Sequence, residues 1–129
     1  MTKEKKMPPR ALLKKASDGD AESQYALGAM YGAGDFVARD DVGSAQWYLK
    51  AAEQGHAEAQ RNLGLMFLFG EGLPKDFVIG MSWIEKAAHG GSPDAMRALS
   101  DSFRKGLYGY PVNFELADQW AELAKNKRG

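Results

Sequence analysis

The 129-residue chain has no cysteine, two histidines and five prolines. Without cysteine there is no disulfide framework and no thiolate metal site, a composition that suits a reducing, cytoplasmic compartment. No apolar run approaches the ~18 residues of a membrane span. The start, MTKEKKMPPR, carries charge with no apolar segment behind it, so no signal peptide is read. Neither sign of charge dominates: 17 basic residues balance 17 acidic ones. That argues against a nucleic-acid binder working through a broad basic surface. Period-two alternation with β-branched enrichment is also missing, so no segment reads as a strand.

Glycine is what the chain has in excess, at 15 of 129 residues against a usual ~7 %. These glycines recur in phase. Trp47, Trp83 and Trp120 stand 36 and 37 residues apart, and a shift by that period superposes much else. Gly19 meets Gly55 and Gly91; Gly28 meets Gly64; Met30 meets Met66; Tyr31 meets Phe67 and Phe103. Gly34 meets Gly70 and Gly106, Asp40 meets Asp76, and Lys50-Ala51-Ala52 meets Lys86-Ala87-Ala88. One extra residue in GLYGYPVN (106–113) puts Asn113 in the aspartate's place.

Each copy holds two helical patterns. First helices are expected at about 21–32, 57–69 and 93–105, and second helices at about 41–54, 77–89 and 114–127. In the middle copy Leu63, Met66 and Phe67 form the buried stripe of the first helix; Val78, Met81, Trp83, Ile84, Ala87 and Ala88 form that of the second. The in-phase tryptophans read as packing residues between repeats. ALLKKASDG (11–19) overlays WYLKAAEQG (47–55), so it reads as a lone second helix capping the array. Asp20, Asp40, Asp76, Ser92 and Asn113 are placed to cap helix N-termini, and Gly55, Gly90 and Gly91 to end helices in the left-handed conformation. Gly28 and Gly64 lie inside a helix at a cost of about 1 kcal/mol each against alanine. A second helix crossing too closely for a side chain accounts for them, and Ser100 keeps the place small in the third copy.

The segments DAESQYALGAMYGAGDFVARD, GHAEAQRNLGLMFLFGEGLPKD and W-x-x-K-A-A-x-x-G resemble the Sel1-like repeat, a relative of the tetratricopeptide repeat. The third copy departs most, with Ser100, Asp101 and Ser102 in place of Gly-Leu-Met. The resemblance implies an all-α fold, an α/α solenoid of helix–turn–helix units wound as a right-handed superhelix. The expected organisation is a disordered arm over 1–9, then one repeat domain over 10–129. Within it lie a half-repeat cap (10–19) and repeats at about 20–55, 56–91 and 92–127.

The resemblance also implies a non-catalytic protein-interaction module whose first helices line a concave groove. The partner is expected to be another protein, either a signalling or secretion component or a toxin neutralised by an immunity protein. No nucleic acid, membrane, cofactor or metal is expected, and a monomer is expected over a homo-oligomer. Groove positions at i, i+3, i+7 and i+10 of each first helix, with apolar or charged neighbours, are Glu22, Tyr25, Ala29 and Gly32, then Glu58, Arg61, Leu65, Leu68 and Phe69. In the third repeat they are Asp94, Arg97, Asp101, Arg104 and Lys105. Leu65, Leu68 and Phe69 lie off the buried stripe, so they either touch the next repeat or anchor a partner, with Arg61 and Arg104 as polar rim. Self-association through the last helix, by Phe114, Leu116 and Trp120, is the other binding mode considered.

Catalytic readings fare worse. FGEGLPKD (69–76) has two glycines, a lysine and an aspartate, but a P-loop needs G-x-x-x-x-G-K-[ST] after a strand. Here a helix precedes, and the copies GDFVARD and GLYGYPVN lack the lysine, so the stretch reads as an interhelical turn with Lys75 solvated. His56 and His89 are separated, which is no metal constellation, and read as helix-end or surface groups. Serine has no nucleophile-elbow context. Cysteine-rich relatives are associated with binding or cleaving β-lactams, which makes an enzyme or small-molecule binder the alternative class. A chain without cysteine does not match that branch.

Overall fold

The structure, a computed structural model, describes residues 7–126. Residues 1–6 of the expected N-terminal arm, with the KEKK run, lie outside them. The described residues form seven helices and no strand: α1 (Arg10–Ser17), α2 (Ala21–Ala33), α3 (Asp41–Glu53), α4 (Ala57–Phe69), α5 (Phe77–His89), α6 (Pro93–Lys105) and α7 (Phe114–Asn126). Each helix packs chiefly on the helices before and after it in sequence. That is the quasi-one-dimensional contact pattern of a solenoid.

The ends of the helices follow from their capping chemistry. Asp20, Asp40, Asp76 and Ser92 accept from the backbone N–H three residues on, and Asn113 does the same for Leu116. His56 occupies the equivalent place before α4, where its Nδ1 accepts from the Ala59 N–H at 3.1 Å. Gly34, Gly70 and Gly106 end α2, α4 and α6 in the left-handed conformation. Beyond each, one long-range bond closes the turn: Asp40 N–H to Tyr31 O, Asp76 N–H to Phe67 O, and Asn113 N–H to Phe103 O, at 2.8–2.9 Å. Gly90 corrects its expectation. Its φ is −81°, an ordinary conformation, and Gly91 takes the positive φ.

Paired helices cross at small residues. A Cβ on Gly64 would lie 2.8 Å from the Gly80 carbonyl oxygen, and one on Gly28 would lie 2.6 Å from the Tyr48 ring. In the third repeat the Ser100 hydroxyl donates to Ala117 O at 2.7 Å. Two core clusters flank these crossings. One joins Ala45, Tyr48, Ala51 and Ala52 of α3 to Ala59, Leu63 and Met66 of α4, with Trp83 packed against it. The other joins Leu68, Met81, Ile84, Ala87 and Ala88 to Ala95, Met96, Leu99 and Ala124, with Trp120 packed against it. The W-x-x-K-A-A pattern gains a physical meaning. The two alanines are buried, and the lysine ammonium lies over the tryptophan ring, Lys50 on Trp47 at 4.9 Å and Lys86 on Trp83 at 4.6 Å.

Two apolar assignments change. Val78 is 68 % exposed, because the first turn of α5 projects beyond the crossing. Leu68, expected in the groove, is 5 % exposed and belongs to the second core cluster. The reason is helical phase: Leu68 lies one turn after Gly64, on the face that α5 crosses. A Cβ on Gly80 would lie 3.1 Å from its Cγ.

Candidate functional site

The expected groove positions of the first two repeats form a continuous polar and aromatic strip. Glu22 and Glu58 begin their helices in the same phase, followed three residues later by Tyr25 and Arg61. Arg61 pairs with Glu58 at 3.2 Å, and Arg97 pairs likewise with Asp94 in the third repeat. In the first repeat tyrosine replaces the arginine, and Glu22 reaches instead to His56 Nε2 at 2.8 Å. Because Nδ1 accepts the Ala59 N–H, Nε2 carries the proton and donates to Glu22. The imidazole also stacks on Tyr25, with ring centroids 4.6 Å apart. Tyr25 in turn lies 5.8 Å from Tyr48. Burial, and then the neighbouring Tyr25, push the Tyr48 hydroxyl above its ordinary pKa.

Beyond this strip the small side chains of α2 open a cleft of about 380 Å³ against α4. Ala29, Gly32 and Leu65 of the expected set line it, together with Tyr48, Asn62 and Met66. Arg39, Asp41 and Glu71 close one end. Arg39 holds Asp41 through two hydrogen bonds, and this bonding raises the guanidinium pKa. Leu65 is half-buried and touches the second core cluster while lining the cleft, so it faces both the next repeat and the groove. Phe69 is 61 % exposed at the end of α4.

The third-repeat positions do not join this cleft. Asp101 and Lys105 are exposed, and Arg104 is committed to Asp118 of α7 at 2.9 Å. Sequence reasoning missed Arg39 and Glu71, which belong to interhelical turns, and Asp41, which opens the second helix α3, since only first helices were considered. It also treated His56 only as a helix-end or surface group. Its phase with the caps Asp20 and Ser92, two residues before the acid of the next helix, was the available signal. Among the described residues no cluster of three or more His, Cys, Asp or Glu could hold a metal, and no helix is long and apolar enough to cross a membrane.

Known proteins agree with this architecture. The model of the Sel1 repeat matches residues 21–56, 57–92 and 93–127. A Sel1 repeat protein from Oxalobacter formigenes superposes with a TM-score of 0.86 at 31% identity, over 91% of this chain and 47% of that one. A protective antigen of uropathogenic Escherichia coli strains, with an SLR fold, gives 0.85 at 32% identity, over 94% of this chain and 26% of that one. Cysteine rich protein B of Helicobacter pylori gives 0.63 at 30% identity, over 65% and 63% of the two chains. This chain thus spans about half the length of the first relative and a quarter of the second. No curated protein matches it significantly.

Proposed function

This chain belongs to the Sel1 repeat family, and from that premise we propose that it binds a partner protein along the groove of its first two repeats. Sel1 repeat proteins generally mediate protein–protein interactions, and the family is typically a non-catalytic scaffold. The observation that carries the location is the cleft between α2 and α4. Ala29 and Gly32 leave room there for a partner side chain over Leu65 and Tyr48, and Arg39, Asp41 and Glu71 offer charged contacts at its rim. The internal ion pairs and caps hold this surface in place before a partner arrives, which lowers the ordering cost of association. Phe69 extends the apolar strip at the outer end of α4.

The role that suits such a groove is that of an adaptor in signalling or secretion. An immunity protein that covers a toxin's active site is the narrower version, and a toxin encoded in the adjacent gene distinguishes it. The test fills the cleft. Ala29→Trp and Leu65→Glu, each checked for native helicity by circular dichroism, abolish capture of the partner by the immobilised chain. Asp101→Lys, remote from the cleft, leaves capture intact. Undiminished capture by both cleft variants overturns the assignment of the groove.

A further inference from the structure

One bridging side chain present at the first repeat junction is absent from the second. At the first, Gln24 Nε2 donates to Ala16 O at 3.0 Å, and its Oε1 accepts from Gln54 Nε2 at 2.8 Å. Gln54 Nε2 also donates to Gly19 O at 2.9 Å, so one carboxamide serves two acceptors. At the second junction every acceptor recurs one period later. Gln60 Nε2 donates to Ala52 O at 3.1 Å, and Gly55 stands where Gly19 stood. The residue in phase with Gln54, however, is Gly90. The two share a backbone conformation, φ −87°, ψ 2° for Gln54 and φ −81°, ψ 0° for Gly90. Only the side chain is missing.

The consequence is a buried acceptor without a donor. Gln60 is 7 % exposed, and its Oε1 has no hydrogen-bond partner among the described residues. The Gly55 carbonyl, on an exposed residue, accepts no backbone hydrogen bond from them. Leaving a buried acceptor unpaired is costly, because the group has given up its water without gaining a donor. A cleft of about 570 Å³ opens at the same place, lined by Gly55, Gln60, Ser82, Glu85, Lys86, His89 and Gly90. Glu85 already accepts from Tyr110, Lys86 lies over Trp83, and His89 packs edge-on to Trp120, so these walls are held from outside the cleft.

We propose that this cleft binds a primary carboxamide, the side chain of a glutamine or asparagine on a protein partner, whose N–H₂ bridges Gln60 Oε1 and Gly55 O as Gln54 bridges Gln24 and Gly19. Ser82, on the same wall, offers a hydroxyl donor for the carboxamide oxygen. A carboxylate of the same shape has no donor to offer and is rejected, because both acceptors would face an anion. The site depends on a protein partner only as the source of the carboxamide, and it is separate from the groove between α2 and α4. Its chemistry is therefore testable with small molecules.

The experiment titrates the full chain with N-acetyl-glutamine methylamide, and separately with the glutamate analogue, under ¹H–¹⁵N correlation NMR. The glutamine probe shifts the Gln60 side-chain N–H₂ and Gly55 N–H signals saturably, and the glutamate probe does not. Gly90→Gln restores the side chain of the first junction within the chain, abolishes those shifts and raises Tm by about 3–6 °C for each of the two hydrogen bonds it adds. Gln60→Met, the residue that the third repeat carries at this phase as Met96, keeps the fold and removes the Gly55 shift. No response at Gln60, an equal response to both probes, or shifts that persist in Gly90→Gln overturn the proposal.

Discussion

Ser44 donates its hydroxyl hydrogen to the carbonyl oxygen of Gly28 at 2.6 Å, and this bond pins α3 to α2 where the two helices cross. The third repeat makes the reverse bond, with Ser100 on the first helix donating to Ala117 on the second. The middle repeat has Gly64 against Gly80 and no hydroxyl, so its helices meet there by close backbone approach, beside the packing of Leu68, Met81 and Ile84. Gly64→Ala therefore drives a methyl group into a carbonyl oxygen that cannot move aside, an overpacking cost of about 1–3 kcal/mol. Ser44→Ala removes one buried hydrogen bond at about 0.5–1.5 kcal/mol. Urea unfolding of both variants checks the order, with the Gly64 change the more damaging.

Leu65 and Leu68 look equivalent in the sequence, since both lie off the stripe of Leu63, Met66 and Phe67. The crossing separates them. Leu68→Ala empties a core position and costs about 2–5 kcal/mol. Leu65, half-buried at the cleft, loses less on the same change. Thermal denaturation of the two alanine variants distinguishes them, and equal losses would contradict the packing described.

This pair also shows where the sequence ran out. The helices were legible because their stops and starts are chemical: aspartate, serine or asparagine before α2, α3, α5, α6 and α7, and a left-handed glycine after α2, α4 and α6. The close crossings were legible because glycine recurs at a costly helical phase. The side of α4 on which α5 lies depends on the crossing, and no single-helix pattern contains it. For the same reason Leu68 was left open between the groove and a contact with the next repeat, and Val78 was expected in the core. Arg39 and Glu71 reach the cleft only because the turns fold back beside it, and Asp41 because α3 starts there.

His56 caps α4 through a ring nitrogen while its other nitrogen holds Glu22 of the preceding repeat. The two roles separate by substitution. His56→Ala loses both and costs about 1 kcal/mol, chiefly from the cap. His56→Asn keeps the cap, since a side-chain oxygen again accepts the N–H, and loses the stacking on Tyr25. Melting temperatures fall clearly for alanine and little for asparagine, whereas partner binding weakens in both if the Tyr25–His56 face forms part of the groove.

Asp20 gives the fold an acid-sensitive joint between α1 and α2. Hydrogen bonds from the Ser23 hydroxyl and then from its backbone N–H hold the carboxyl below its ordinary value of 3.8. A depressed folded-state pKa means that the stabilisation is fully present above 3.8 and is lost as pH falls through the lower folded-state value. Asp20→Asn keeps a capping oxygen without a titrating group. Below pH 4 the melting temperature of the variant therefore falls less steeply with acid than that of the parent chain, and parallel acid limbs would count against the role given to Asp20.

The loop Phe69–Asp76 makes the sharpest comparison between two glycines. Gly70 and Gly72 have nearly the same positive φ, 68° and 73°. A Cβ on Gly70 would meet the side-chain Cβ of Lys75 at 3.2 Å, a contact that small shifts relieve. A Cβ on Gly72 would lie 2.3 Å from the carbonyl oxygen of Asp41, backbone at the start of α3 in the preceding repeat. Gly70→Ala therefore costs about the 1–2 kcal/mol of the left-handed conformation. Gly72→Ala carries that strain and also pushes the loop off α3. Since Glu71 and Asp41 both line the cleft, displacing the loop reshapes the groove as well as weakening the fold. Gly72→Ala thus lowers both Tm and partner affinity, whereas Gly70→Ala lowers Tm alone. Calorimetry paired with a binding titration separates the two outcomes, and a Gly72 variant with unaltered affinity would show that the loop does not shape the binding surface.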